Sequence, residues 1–246
     1  MLFKTIYGPE IESIYFWLND FGPARKDTLA DSFGNIANGV KSSTANLDDA
    51  ILFLIGSGVV YLDSNLYHVR YKDLDSTSFK TILLKHLRSI KKGISDLDPY
   101  FINFIDLLYI KPDVLFHNSL HKKINSLELQ SPCSEEKVNA WRRVLEYFGL
   151  GFRGYGGLTV CYCSEILENI INKWDHTEGP LQIFFEDHFD LYLPWLNSKG
   201  DIAQAVKIPL IYLERKGLIK LNSKQDLPHK SYMGKRKIKW LTRKEI

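Results

Sequence analysis

Apolar residues near the start of the chain return at intervals of three and four. Ile11, Ile14, Tyr15 and Leu18 form one stripe, which predicts a helix ending near Asn19-Asp20-Phe21-Gly22-Pro23. A second short helix is expected over Lys26–Phe33, stopping at Gly34. Beyond the polar run Lys41-Ser42-Ser43-Thr44, the spacing of Leu47, Ile51, Leu54 and Ile55 gives a third, with Gly56-Ser57-Gly58 as its C-terminal stop. The pattern then changes. Val59–Leu62 and Leu66–Val69 are β-forming runs either side of Asp63-Ser64-Asn65, which reads as a hairpin.

The last part of the chain repeats this order. Leu181–Phe185 is a candidate first helix, and Ser198-Lys199-Gly200-Asp201 starts the run Ile202–Val206. Ile208–Lys216 forms the next helix, with Pro209 accommodated in its first turn and Gly217 as its stop. Leu218–Leu221 and Ile238–Leu241 are then two strands separated by a long polar loop over 222–234. Residues between these ends read as mostly helical. One stripe runs through Phe79, Ile82, Leu83, Leu87 and Ile90, another through Val138, Trp141, Val144, Leu145 and Phe148. The second stripe leads into Gly149-Leu150-Gly151 and then a β-forming run to Tyr162, so helix, glycine and hairpin follow one another near 56, 149 and 217.

Helices closed by a hairpin resemble the winged helix-turn-helix superfamily, over about residues 9–70 by pattern and, more clearly, through Leu213-Glu214-Arg215-Lys216-Gly217-Leu218-Ile219. The expected fold is mainly α with short β-hairpins: tandem winged-helix units joined by a helical middle region. The divisions are 1–75 (N-terminal unit), 76–175 (helical middle, with a divergent third unit left open) and 176–246 (C-terminal unit with a basic wing).

Composition narrows the function classes. With 45% apolar residues in 246 the chain has ample surface to bury, and neither a run of the roughly 20 apolar residues of a membrane span nor a signal-peptide order appears. Cys133, Cys161 and Cys163 are odd in number, which suits a reducing compartment with cysteines as core fillers; the expectation is a cytoplasmic protein. Charge is uneven. Residues 220–246 hold nine of the 32 Lys and Arg but only two of the 29 acids, Asp226 and Glu245, so a basic end is attached to a mildly acidic body, and a localised anion-binding surface is expected.

That surface is the wing. Lys230, Lys235, Arg236, Lys237, Lys239 and Arg243 line its loop and returning strand, with Tyr232 and Trp240 interleaved; such cations draw phosphates by charge and counterion release. The second helix of a helix-turn-helix enters the major groove by its N-terminal residues, here Lys207, Ile208 and Leu210. These are poor base readers, so contact with the DNA backbone is expected. The corresponding entry in the first unit, residues 43–49, carries Asp48 and Asp49, which repel phosphates and point to a protein partner. Trp17 and Phe53 are expected on the same partner surface, and Tyr100, Phe104 and Trp195 are further candidate anchors.

Other motifs carry no reaction. Gly149-x-Gly151-x-x-Gly154 has the dinucleotide-binding spacing but follows a helix where that motif needs a strand. Glu214-x-Lys216 lies inside a predicted helix, not on the strand that a metal-dependent nuclease requires. His117 and His121 are four apart, the spacing of one helix face, but have no third ligand, and Glu186-Asp187-His188 lacks a nucleophile. No cofactor and no metal site is expected. The chain therefore reads as a non-enzymatic DNA-binding protein. The alternative is a structural accessory subunit: tandem winged-helix proteins of this size are similar to accessory subunits of SMC-type ATPase complexes, which bridge a kleisin or ATPase heads, and to those of bacterial anti-phage defence systems.

Overall fold

Ile11, Ile14, Tyr15 and Leu18 are all buried on one face of the first helix, α1 (Gly8–Phe21). A computed structural model describes residues 2–33, 36–37, 40–41, 45–72, 74–92, 95–224 and 228–244; the expected stop at Gly34 and the polar entry at 42–44 lie outside them. Next come α2 (Lys26–Phe33), a two-residue ladder of β1 (Ile36–Ala37) with β2 (Val40–Lys41), α3 (Ala45–Gly56) and the hairpin β3 (Val60–Asp63) with β4 (Leu66–Val69). On its other side β4 bridges to Ala24, through Tyr67, ahead of α2.

The linking helix α4 (Ser76–Ser89) is capped by Asp75, whose carboxylate accepts from Ser78 N–H at 2.7 Å. It leads to α5 (Tyr100–Ile105), which continues as a π-turn over Asp106–Ile110. A short strand β5 (Phe116–His117), the helices α6 (Leu120–Asn125) and α7 (Glu135–Tyr147), and the hairpin β6 (Gly151–Gly154) with β7 (Gly157–Val160) follow. The sheet order is β5-β7-β6. The order then recurs: α8 (Ser164–Asn172), β8 (Glu178–Pro180), α9 (Leu181–Ile183) extended by a π-turn and a 3-10 turn to Leu191, α10 (Gln204–Arg215), β9 (Ile219–Asn222) and β10 (Trp240–Arg243), in the sheet order β8-β10-β9. Helix takes about half the chain and strand about 15%, all in small antiparallel sheets, so the class is mainly α.

Three stretches thus share one order of elements: helix, short strand or bridge, helix, helix, hairpin, with the last hairpin strand central in each sheet. The junction of the third helix with its hairpin repeats in atomic detail. Gly58, Gly149 and Gly217 have φ of +78°, +68° and +76°, and the residue after each donates back to a buried leucine carbonyl: Val59 to Leu54, Leu150 to Leu145, Leu218 to Leu213. This is the Schellman closure, and its left-handed residue favours glycine.

Two expectations are corrected. Ile202–Val206 and Ile208–Lys216 are not separate helices, because α10 runs unbroken from Gln204 to Arg215 with Pro209 in its interior, while Ile202 forms a bridge with Leu196. Proline has no N–H for the carbonyl of Ala205, four residues back. That carbonyl accepts instead from Tyr162 N–H at 3.0 Å, a bond from the end of the preceding hairpin that removes the orphan. His117 and His121 do not share a helix face either: His117 lies in β5 and His121 in α6.

The stretches are fused by a continuous core. Phe53 lies 5.9 Å from Phe101, Phe3 sits 5.4 Å from the same ring, and Phe104 meets Trp141 edge-on at 5.8 Å, geometries that add to area burial. Polar bonds cross too. Tyr147 Oη donates to Glu12 at 2.8 Å, and Thr81 Oγ1 to Asn169 Oδ1 at 2.8 Å.

Candidate nucleic-acid interface

The basic surface is built on the stop of α10. After Gly217 the chain enters β9, where Ile219 and Leu221 point inward and Lys220 outward. Pairing with β10 puts Lys220 opposite Thr242 and Asn222 opposite Trp240 on the outer face. Trp240 Nε1 and Thr242 Oγ1 both donate to the Glu178 carboxylate on β8, at 3.3 and 3.2 Å. The Lys224 ammonium lies 3.5 Å from the centroid of the Trp240 ring, a close cation–π contact.

Residues 232–238 are held by more contacts than their composition implies. Tyr232 and Ile238 exchange both backbone hydrogen bonds at 2.9 Å, closing a tight lobe whose tip is a 3-10 turn over Gly234–Arg236. Three side chains root it: Tyr232, Met233 and Ile238 are buried, and Tyr232 extends an aromatic row in which Trp195 is 5.5 Å away and Phe185 stacks on Trp195 at 4.8 Å. Met233 N–H also donates to Asp201 Oδ1 at 2.6 Å. Tyr232, expected among the surface aromatics, is therefore a root of the lobe. Burial, with Glu186 beside it, pushes its phenol well above the usual tyrosine range.

The cations divide by what they touch. Arg236 places its two terminal nitrogens on the two oxygens of Glu214, at 2.7 and 2.9 Å; the pairing holds Glu214 below and Arg236 above their ordinary pKa values. Arg243 donates to the carbonyls of Asn172 at 2.8 Å and Ile171 at 3.5 Å, at the C-terminus of α8, where a cation offsets the helix dipole. Lys207 is paired with Asp201 at 3.1 Å; burial favours the neutral acid, but the N–H groups of Met233 and Ile202 and the Lys207 ammonium together hold Asp201 below the usual carboxylate range. Lys230 donates its N–H to Gln182 and lies 5.3 Å from the Tyr232 ring. Lys239 is half-buried, with its N–H on Asn222 and its carbonyl accepting from Leu181.

Lys235 and Lys237 are different. Both are exposed on the lobe, and neither makes an ion pair among the described residues. Exposed Lys220 and Lys224, which sequence reasoning left off its roll of contact residues, extend the charge along β9. Their alternation with Ile219 and Leu221 was the available signal.

The other candidates are dispersed. Asp48 pairs with Lys26 at 2.8 Å and Asp49 with Lys4 at 3.2 Å, so the acidic entry of α3 is internally balanced. Phe53 is fully buried and joins α3 to α5, leaving no surface for a partner; Phe104 and Trp195 are buried likewise. Trp17 is half-buried, with Phe21 5.1 Å and Phe33 6.5 Å away. Exposed aromatics also occur on the β6–β7 hairpin, at Phe152 and Tyr155, beside an ion pair of Arg153 with Glu146.

Gly149-x-Gly151-x-x-Gly154 leads out of α7 into β6, the reverse of a strand feeding a helix N-terminus. Glu186 accepts from Gln182 and Tyr232, and His188 is bonded to the Ile170 carbonyl at 2.8 Å. Burial raises all three cysteine thiols, Cys133 to about 11. Among the described residues no group of three or more His, Cys, Asp or Glu is arranged to hold a metal, and no helix is long and apolar enough to cross a membrane. No protein-family model, curated protein or solved structure matches this chain.

Proposed function

We propose that the chain is a tandem winged-helix protein of three units, the third starting at α8, and that it binds DNA without catalysis by laying the 232–238 lobe of its C-terminal wing along the phosphate backbone. The observation that carries this reading is the pairing state of the cations. Lys235 and Lys237 stand exposed and without ion pairs on a lobe anchored by three buried side chains, so they are held in place without being neutralised. Pre-positioned charge of this kind lowers the ordering entropy of contact. Ile208 and Leu210 on α10 offer no hydrogen bonds to base edges, and backbone contact therefore dominates over sequence readout.

The test is a gel-shift salt series on a duplex with the purified chain and with K235Q/K237Q. Each neutralised phosphate adds roughly 0.9 to the salt slope, so the double variant should bind more weakly and lose about 2 from the slope. No binding unaided at low salt, or an unchanged slope in the variant, sinks the reading.

A second reading, an accessory subunit of a larger assembly such as an SMC-type ATPase or anti-phage complex, is favoured by one observation. Phe21 is 74% exposed at the end of α1 beside Trp17, an aromatic patch of the kind enriched at protein interfaces. Stoichiometric co-purification with a large partner, lost in F21E while DNA binding persists, supports it; a monodisperse chain with no partner argues against it.

A further inference from the structure

A cleft of about 400 Å³ opens where α4 meets the exit of the first hairpin and the start of the third repeat, within the roughly 300–1,000 Å³ range of small-molecule sites. Tyr71, Ile82, Lys85, His86, Lys173 and Tyr192 line it, and most of that lining is apolar. Its walls include two tyrosine rings, with the Lys85 ammonium 5.7 Å from the Tyr192 centroid. Tyr71 is fixed from two directions: its hydroxyl shares a 2.8 Å hydrogen bond with His86 Nε2, and its carbonyl accepts from Tyr15 Oη.

The charges are what require explanation. Lys85 and Lys173 both face this cleft, and neither makes an ion pair among the described residues. Lys173 is half-buried at the end of α8, where an ammonium without a contacting acid is costly. Burial first, then the nearby Lys85 charge, lowers its pKa against the raising influence of Asp75. His86 is likewise lowered by burial, Arg70 and Lys85, and His188 behind Tyr192 by burial and Lys85 against Asp175. No acid stands among the lining residues, against two lysines and a histidine.

We propose that this cleft binds a small organic phosphate carrying a planar ring, of nucleoside monophosphate size. Two ammonium groups match a phosphate dianion as point charges, and the tyrosine faces and Ile82 take the ring. The bound molecule touches the exit of the first repeat, α4 and the third repeat at once, so it tightens their packing.

The experiment is calorimetric titration of the full chain at low salt with AMP and UMP, and with adenosine and inorganic phosphate as partial probes. Expected are saturable one-to-one binding of at least one nucleotide, weaker binding of both partial probes by about tenfold or more, and a comparable loss in K85Q/K173Q. The single K85Q, at an exposed position, shows the same direction of effect and guards against misfolding of the double variant. Absence of heat with both nucleotides, equal binding of inorganic phosphate, or nucleotide binding that survives K85Q/K173Q overturns the proposal. K235Q/K237Q should leave nucleotide binding intact; its loss there assigns the anion to the wing and also overturns it.

Discussion

Arg236 and Glu214 form a two-pronged ion pair, at 2.7 and 2.9 Å, across the base of the basic lobe. The same carboxylate accepts from Leu221 N–H at 3.3 Å, so Glu214 ties α10, β9 and the lobe together. Glu214, the acid of the Glu214-x-Lys216 pattern, thereby serves as a brace. E214Q should destabilise by about 1 kcal/mol, the scale of a partly exposed bidentate pair. Because the folded Glu214 titrates below its unfolded value, this stability is present above the unfolded glutamate pKa of roughly 4.3 and is lost as pH falls through the lower folded value. Denaturant titrations at pH 7 and pH 3 check it: the gap between wild type and E214Q should narrow in acid.

Arg243 distinguishes charge that holds the fold from charge left exposed for the proposed DNA contact. Its guanidinium completes the C-terminus of α8, so R243Q should lower stability by about 1–2 kcal/mol while the salt slope of DNA binding stays at the wild-type value. K235Q/K237Q should do the reverse. Thermal melts and gel shifts on the same preparations distinguish the two, and a slope reduced by R243Q in a folded protein contradicts the division of cations given above.

The three helix-stop glycines should tolerate alanine unequally. At Gly217 no atom lies within 4 Å of an added Cβ, so G217A carries only the left-handed backbone penalty of about 1–2 kcal/mol. At Gly149 the same Cβ falls 2.4 Å from Cys163 Sγ, and G149A should cost more. C163A in the G149A background should recover part of the excess but not the backbone penalty. Urea unfolding of the four proteins supplies the ranking.

What could be read in the chain, and what could not, follows the range of the interactions. Amphipathic stripes such as Ile11–Leu18 and the glycine stops are local, and the helices they predict are present. Strands of two or three residues, β5 and β8, are too short to show a period, and nothing local reveals that Gly179 lets β8 cross the Trp174 ring. Spacing alone puts Pro209 in the first turn of a helix, because the bond that lets it sit deeper, Tyr162 N–H on the Ala205 carbonyl, comes from the preceding hairpin. The contacts of the candidate interface are long-range in the same way. A count of cations marks residues 220–246 as basic, yet Arg236, Arg243 and Lys207 contact Glu214, Asn172 and Asp201, partners that no spacing reveals.

Asp113 provides the sharpest test that the second and third repeats fold as one body. It sits at φ +58° just after the π-turn, and its Oδ1 accepts from Gln204 N–H at 2.7 Å while Oδ2 accepts from Asn197 Nδ2 at 3.2 Å. The α10 N-cap, Ala203, has no capping side chain, so a carboxylate from 91 positions earlier does the capping and meets the positive end of the helix dipole. D113A should lose about 1–2 kcal/mol, and D113N should recover much of it, since asparagine keeps one acceptor and tolerates the left-handed backbone. Hydrogen exchange locates the effect: in D113A the amides at the start of α10 should lose protection while those of α1 keep theirs. Equal loss at both ends of the chain contradicts a cap and indicates global destabilisation.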